Sequence, residues 1–181
     1  MSGGFLSPEI AAPLATAVFG IIAAYIVKRL SDHHERKQRR RALACVLAAE
    51  LKGWLVICEA RGYDAFGENF LASLKSGQDR PMPRLTDERM TSFEVGRGAF
   101  PVAYNNLDDL GLLGPSVSSE IAQFLSLHQG LTSDIVAYAR GKWDHHNLKV
   151  KVHSVEENLK LYRECVSLAQ GLVSKLLELA K

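Results

Sequence analysis

Eighteen consecutive residues, Ile10 to Val27, carry no charge. Eight are large and apolar (Ile10, Leu14, Val18, Phe19, Ile21, Ile22, Ile26 and Val27), and six are Ala. Only Pro13, Thr16, Gly20 and Tyr25 interrupt the run. At ~1.5 Å per residue, a helix over it is ~27 Å long, enough to cross a thin hydrocarbon core. Pro13 falls near the start, where a helix tolerates it. The pattern predicts a transmembrane helix over residues 10–30. A buried core helix would carry a polar face, and this run has none. A cleaved signal peptide would carry positive charge ahead of the apolar run, and Met1 to Glu9 holds no Lys or Arg.

Beyond the run the rhythm stays helical but becomes amphipathic. Nothing between Val27 and Gly53 breaks a helix, so the span is expected to continue into the first helix of the following domain. Ala44, Ala48, Leu51, Leu55 and Cys58 step by four and three along one face, which Leu43, Leu47 and Trp54 widen. Gly62 predicts a kink or break, after which Tyr63, Phe66, Phe70 and Leu74 resume the rhythm up to Gly77. Residues 77–100, punctuated by Gly and Pro, read as the main loop. Tyr104 to Leu110 predicts a short helix closed by Gly111. Pro115 opens the next helix, and Val117, Ile121, Phe124, His128, Leu131, Ile135 and Tyr138 form its stripe up to Gly141. The last helix keeps the spacing longest: Leu148, Val152, Val155, Leu159, Tyr162, Val166, Ala169, Val173, Leu176 and Ala180. Sustained heptads predict coiled-coil-like packing. Residues 148–153 also alternate with period two, and Ser154 with Glu157 spells a capping box, but no good partner strand exists, so helix is expected from about 148.

The fold class that follows is all-α: one N-terminal transmembrane helix, then an antiparallel three- to four-helix bundle. The expected domains are a short extracytoplasmic N-terminus (1–9), the span (10–30), a basic juxtamembrane segment (31–41) and a cytoplasmic helical bundle (42–181).

Charge orients this arrangement. Lys28, Arg29, Arg36, Lys37, Arg39, Arg40 and Arg41 stand against only Asp32 and Glu35, a surplus of five immediately after the span. Cytoplasmic flanks are enriched in Lys and Arg, so the N-terminus is expected outside and the bundle in the cytoplasm. The same residues are expected to meet anionic lipid headgroups. Residues 42–181 hold 15 basic and 17 acidic side chains, which gives the bundle no basic surplus for nucleic acid. Trp143, beside Lys142, Lys149 and Lys151, reads as a membrane-interface anchor, with packing into the end of the bundle as the alternative. Ala12, Thr16, Gly20 and Ala24, spaced by four, form a small-residue stripe through which two spans would pair as a homodimer.

A span, a basic stretch, the segment Arg39–Leu51 (RRRALACVLAAEL) and then Phe100–Pro115 (FPVAYNNLDDLGLLGP) together resemble a group of small bacterial single-span proteins whose function is unknown. Phe100-Pro101, Asn106, Leu107 and Leu110 to Pro115 are its most specific part. The resemblance implies a bacterial inner-membrane location and a helical cytoplasmic domain; it implies no activity.

Candidate chemistry is thin. Asp32-His33-His34 and Asp144-His145-His146 repeat one tripeptide that together offers metal-ligating side chains. Adjacent His residues on a helix diverge by ~100°, which argues for solvated connectors instead. Cys45, Cys58 and Cys165 lack C-x-x-C spacing and read as free thiols. Gly96-Arg97-Gly98 is too short for a phosphate loop, and Asp108-Asp109 lacks the alternating ligands of a calcium loop. His128, on an apolar stripe, reads as a core residue. The expectation is a protein without catalysis, metal or cofactor, serving as a membrane-anchored scaffold or signal-relay module with a protein partner. A membrane-acting effector or defence component is the alternative, with a metal-dependent enzyme behind it.

Overall fold

A computed structural model describes residues 8–79 and 99–181, with side chains from residue 24 onward. Among the described residues the chain is helical throughout, with no strand. The elements are α1 (Pro8–Ala60), α2 (Tyr63–Lys75), α3 (Pro101–Asn105), a 3₁₀ helix (Leu107–Leu113), α4 (Pro115–Ala139) and α5 (Leu148–Leu179). The all-α expectation holds. Among the described residues no helix is long and apolar enough to cross a membrane. Of the run expected to do so, residues 10–23 carry side chains outside the described set.

The chain divides into two compact units, Met1–Arg40 and Arg41–Lys181. In the first, the described side chains from Ala24 to Arg39 are all exposed along α1. The second is a helical bundle with two cores. The larger joins Leu47 and Leu51 of α1, Phe100 and Ala103 around α3, Phe124 of α4, and Leu172 and Leu176 of α5. The smaller joins Leu71 and Leu74 of α2, Tyr138 of α4, and Val155 and Leu159 of α5. The start of α4 thus meets the end of α5, and its end meets the start of α5, so the two helices are antiparallel. Lys175 and Glu120 pair at 2.6 Å across the first of these contacts.

Each boundary has a local cause. Gly62, at φ 61, ends α1 with a left-handed residue that other side chains rarely adopt. Gly141, at φ 74, closes α4: its N–H reaches Tyr138 O, and Lys142 N–H reaches Ala137 O. Asn147 caps α5 by accepting from Val150 N–H at 3.0 Å. That cap settles residues 148–153 as helix despite their alternating pattern.

Three expected details are corrected. The one short helix expected over 104–110 is two elements, α3 from Pro101 to Asn105 and, after Asn106, a 3₁₀ helix that passes Gly111 and closes at Gly114. On α2 the buried residues are Leu71 and Leu74, while Phe66 is 49% exposed and stacks on Phe70. The cause is Gly67, where α2 comes so close to Leu159 of α5 that a Cβ would overlap Leu159 Cδ2. On α5 the fully buried residues of the second half are Cys165, Ala169, Leu172 and Leu176, with Tyr162, Val166 and Val173 half-buried. The first half of α5 packs into the smaller core and the second half into the larger, against different neighbours, and the buried face turns with them. The expected loop over 77–100 falls mostly on residues 80–98, outside the described residues.

Candidate functional site

Between residues 41 and 60, α1 has two apolar faces. One is used by the fold: Ala44, Leu47, Ala48, Leu51 and Cys58 are buried. The opposite face carries Ala42, Cys45, Val46, Ala49, Gly53, Val56, Ile57 and Ala60, all exposed. Val46, Val56 and Ile57 keep 47%, 56% and 50% of their surface in solvent. A helix that is apolar all round is normally enclosed on all sides, and the chain encloses this one on one side. A Cβ built on Gly53 would meet nothing within 4 Å among the described residues, so no described neighbour requires glycine there. This is the most distinctive surface among the described residues, and the sequence reading did not single it out. The signal was present, because residues 42, 46, 49, 53, 56 and 60 keep the same spacing as the buried face.

The residues expected at a membrane surface lie on α1 in the first unit and at the unit boundary. Lys28, Arg29, Arg36, Lys37, Arg39 and Arg41 are exposed, and Arg40 is half-buried with its Nε unpartnered. Arg29 stands over the Tyr25 ring at 5.9 Å. Arg39 pairs with Glu35 at 2.8 Å, an exposed one-turn pair worth a few tenths of a kcal/mol, roughly 0.3–0.5. Of the small-residue stripe, Ala24 is exposed; Ala12, Thr16 and Gly20 lie outside the residues whose side chains are described.

Trp143 is half-buried, stacked on Tyr138 at 4.9 Å and tilted against His146 at 5.0 Å. Its ring is engaged by the smaller core, the bundle-end arrangement given above as the alternative. Lys151, taken as its neighbour at an interface, is bound instead to Asp79 at 2.9 Å.

The segment that carries the resemblance has a structural role. Glu50 of α1 accepts hydrogen bonds from Val102 N–H (2.8 Å) and Ala103 N–H (3.2 Å), capping α3 with a carboxylate from 52 residues away. Asn106 Nδ2 donates to Val102 O at 2.8 Å. Gly114, at φ 93, makes the turn into Pro115. Phe100 then inserts between Trp54, Phe124 and His128, with ring centroids 6.0, 5.0 and 4.9 Å away. His128 is 8% exposed and its Nδ1 has no hydrogen-bond partner. Burial pushes its pKa down from the ordinary value to about 4. It is a neutral ring in an aromatic core, filled by its neighbours. The adjoining cavity, bordered by Glu50, Phe100 and Leu172, is about the size of one water molecule.

Asp32-His33-His34 lies in the first unit and Asp144-His145-His146 in the second. Among the described residues no group of three or more His, Cys, Asp or Glu side chains is placed to hold a metal. Cys58 and Cys165 are buried, and burial pushes both thiols up, Cys165 to about 11, which makes them poor nucleophiles. Cys45 is exposed. Asp108 and Asp109 sit in the first turn of the 3₁₀ helix. Gly96-Arg97-Gly98 falls outside the described residues.

Compared with models of protein families, with curated proteins and with solved structures, the chain matches none.

Proposed function

We propose that the protein is a single-pass, membrane-anchored helical module that works by binding a protein partner, as a scaffold or signal-relay component, without catalysis. The observation that carries the binding role is the second apolar face of α1, which the bundle leaves in solvent. Around it stand a fold whose polar groups serve capping and packing and a core whose titratable ring is enclosed by aromatic neighbours. The anchor is supported by the uncharged run 10–27 and by the basic residues that follow it. Each exposed Lys or Arg near an anionic leaflet contributes up to ~1 kcal/mol of attraction, so the collar holds the emerging helix against lipid headgroups. The orientation is N-terminus outside and bundle in the cytoplasm, in a bacterial inner membrane.

The test is a topology reporter fused after Lys181. It is expected to be active only in its cytoplasmic form. Replacing Lys28, Arg29, Arg36, Lys37, Arg39, Arg40 and Arg41 with Gln is expected to scramble orientation and weaken binding to anionic vesicles together. A periplasmic signal from the unaltered chain would overturn the orientation.

A further inference from the structure

We propose that the exposed apolar face of α1 between residues 42 and 60 binds the same face of a second copy anchored in the same membrane, with the two helices parallel and in register. The inference names the partner in the binding role above. It rests on the membrane anchor for the shared orientation of the copies, and it places the contact after the spans rather than within them.

Ala42, Val46, Ala49, Gly53, Val56 and Ala60 alternate steps of four and three, the spacing of a seam that packs against another helix. At ~100° per residue this line stands opposite the side of α1 that carries the buried Ala44, Leu47, Leu51 and Cys58. Two copies joined along it keep their bundles on the outside, where neither obstructs the other. Ala49 and Gly53 are four residues apart, and small residues at that spacing let two helix backbones approach closely. Helix interiors disfavour glycine, and among the described residues the space where a Gly53 Cβ would lie is open. A second copy in register gives that glycine a purpose, because it sets glycine against glycine at the closest approach. A strip ~27 Å long and one helix, ~10 Å, wide covers roughly 300 Å², against roughly 800 Å² per partner in a standard interface. Anchoring both copies in one membrane makes up the difference through effective concentration.

Charge selects a second copy over an acidic partner. Eighteen residues of α-helix make five turns, so Ala24, Ala42 and Ala60 share one line along α1. Between Ala24 and Ala42 that line carries Lys28, Ser31, Glu35 and Gln38, all exposed. The other basic residues of the collar, Arg29, Arg36, Lys37, Arg39, Arg40 and Arg41, fall off it. An acidic partner lying along α1 would be met by basic side chains on this line. A second copy in register sets each residue against itself, so basic residues there would repel. The collar keeps all but Lys28 off the line and puts an acid, Glu35, on it. Between 42 and 60 the line holds no charge at all, with Lys52 and Glu59 to one side.

The test is disulfide mapping on the full chain in the membranes of cells that produce it, with Cys45→Ser so that the two buried thiols are the only native ones left. Val46→Cys, Ala49→Cys and Val56→Cys are each expected to join the same residue of a second copy on mild oxidation with copper phenanthroline. Lys52→Cys and Glu59→Cys, beside the seam, are expected to do so at least about fivefold less. Ala49→Glu and Ala49→Lys, each read through Val56→Cys, are expected to cut the dimer at least about fivefold by setting like charges face to face, and co-production of the two chains to restore most of it. Both changes place a good helix former on exposed surface, so circular dichroism is expected to be unchanged. No dimer, or an even yield at all the tested positions, would overturn the proposal, as would no restoration on co-production. Adducts of unequal mass in place of the dimer would overturn it in favour of a different protein. Carbonate extraction of the same membranes scores the anchor separately. A chain kept in the pellet with an even pattern loses this interface and keeps the anchor; a chain released to the supernatant loses the anchor and, with it, the shared orientation.

Discussion

His128 makes the second unit acid-sensitive in a calculable way. Its folded pKa is about 4, against an ordinary 6.5, with burial as the cause. The unfolded chain therefore binds a proton that the folded chain refuses. Stability from this residue is complete above pH 6.5 and is lost as pH falls from 6.5 towards 4. At ~1.4 kcal/mol per pH unit, about 2 kcal/mol disappears between pH 7 and pH 5. Urea unfolding at those two pH values checks this, and His128→Phe is expected to remove the difference while keeping an aromatic ring in the core. Glu50 is the second residue with a definable effect. Replacing it with Ala strips the cap from Val102 and Ala103 N–H and is expected to destabilise by about 1–2 kcal/mol. Glu50→Gln, which keeps one acceptor, is expected to lose less. Sequence periodicity placed His128 in the core. Nothing local marked Glu50 as a cap, because its partners lie half a hundred residues away in the sequence.

Two glycines show how the same residue answers to different neighbours at the scale of helices. Gly67 is required by the crossing of α2 over Leu159, whereas Gly53 faces open space. Gly67→Val is expected to destabilise the fold by about 1–3 kcal/mol through overpacking. Gly53→Ala, at concentrations where the chain is monomeric, is expected to stabilise it by up to ~1 kcal/mol through helix propensity. Thermal unfolding of both variants checks the opposite signs. Helices and most of their ends were legible in the sequence because Gly62, Gly114-Pro115 and Gly141 carry their own conformational demands. Faces were less so. On α1 the 4/3 rhythm runs along both sides, so periodicity alone does not say which side the bundle takes. On α5 the heptad reading missed the change of neighbours that buries Cys165 and Leu172 instead of Val166 and Val173. On α2 the rhythm through Phe66 competes with that of Leu71 and Leu74, and the close approach at Gly67 decides.

At the scale of the whole chain, composition separates an apolar run and its basic collar from a charge-balanced body, and the fold divides in nearly the same place, between Arg40 and Arg41. The bundle is held by its two cores. Its surface pairs, such as Arg163 with Asp64 and Lys75 with Glu156, join half-exposed side chains and contribute little, because solvent screens them. Arg163→Ala is accordingly expected to leave the unfolding midpoint almost unchanged, which denaturant titration checks. The candidate site was the least legible part, because an exposed apolar face is defined by what fails to pack on it, and that requires the fold. The account as a whole stands on the chain being anchored in a membrane by residues 10–27. Alkaline carbonate extraction of membranes containing the full chain tests this most directly. Retention in the membrane pellet, with release only by detergent, is the expected result; recovery in the carbonate supernatant would contradict the account.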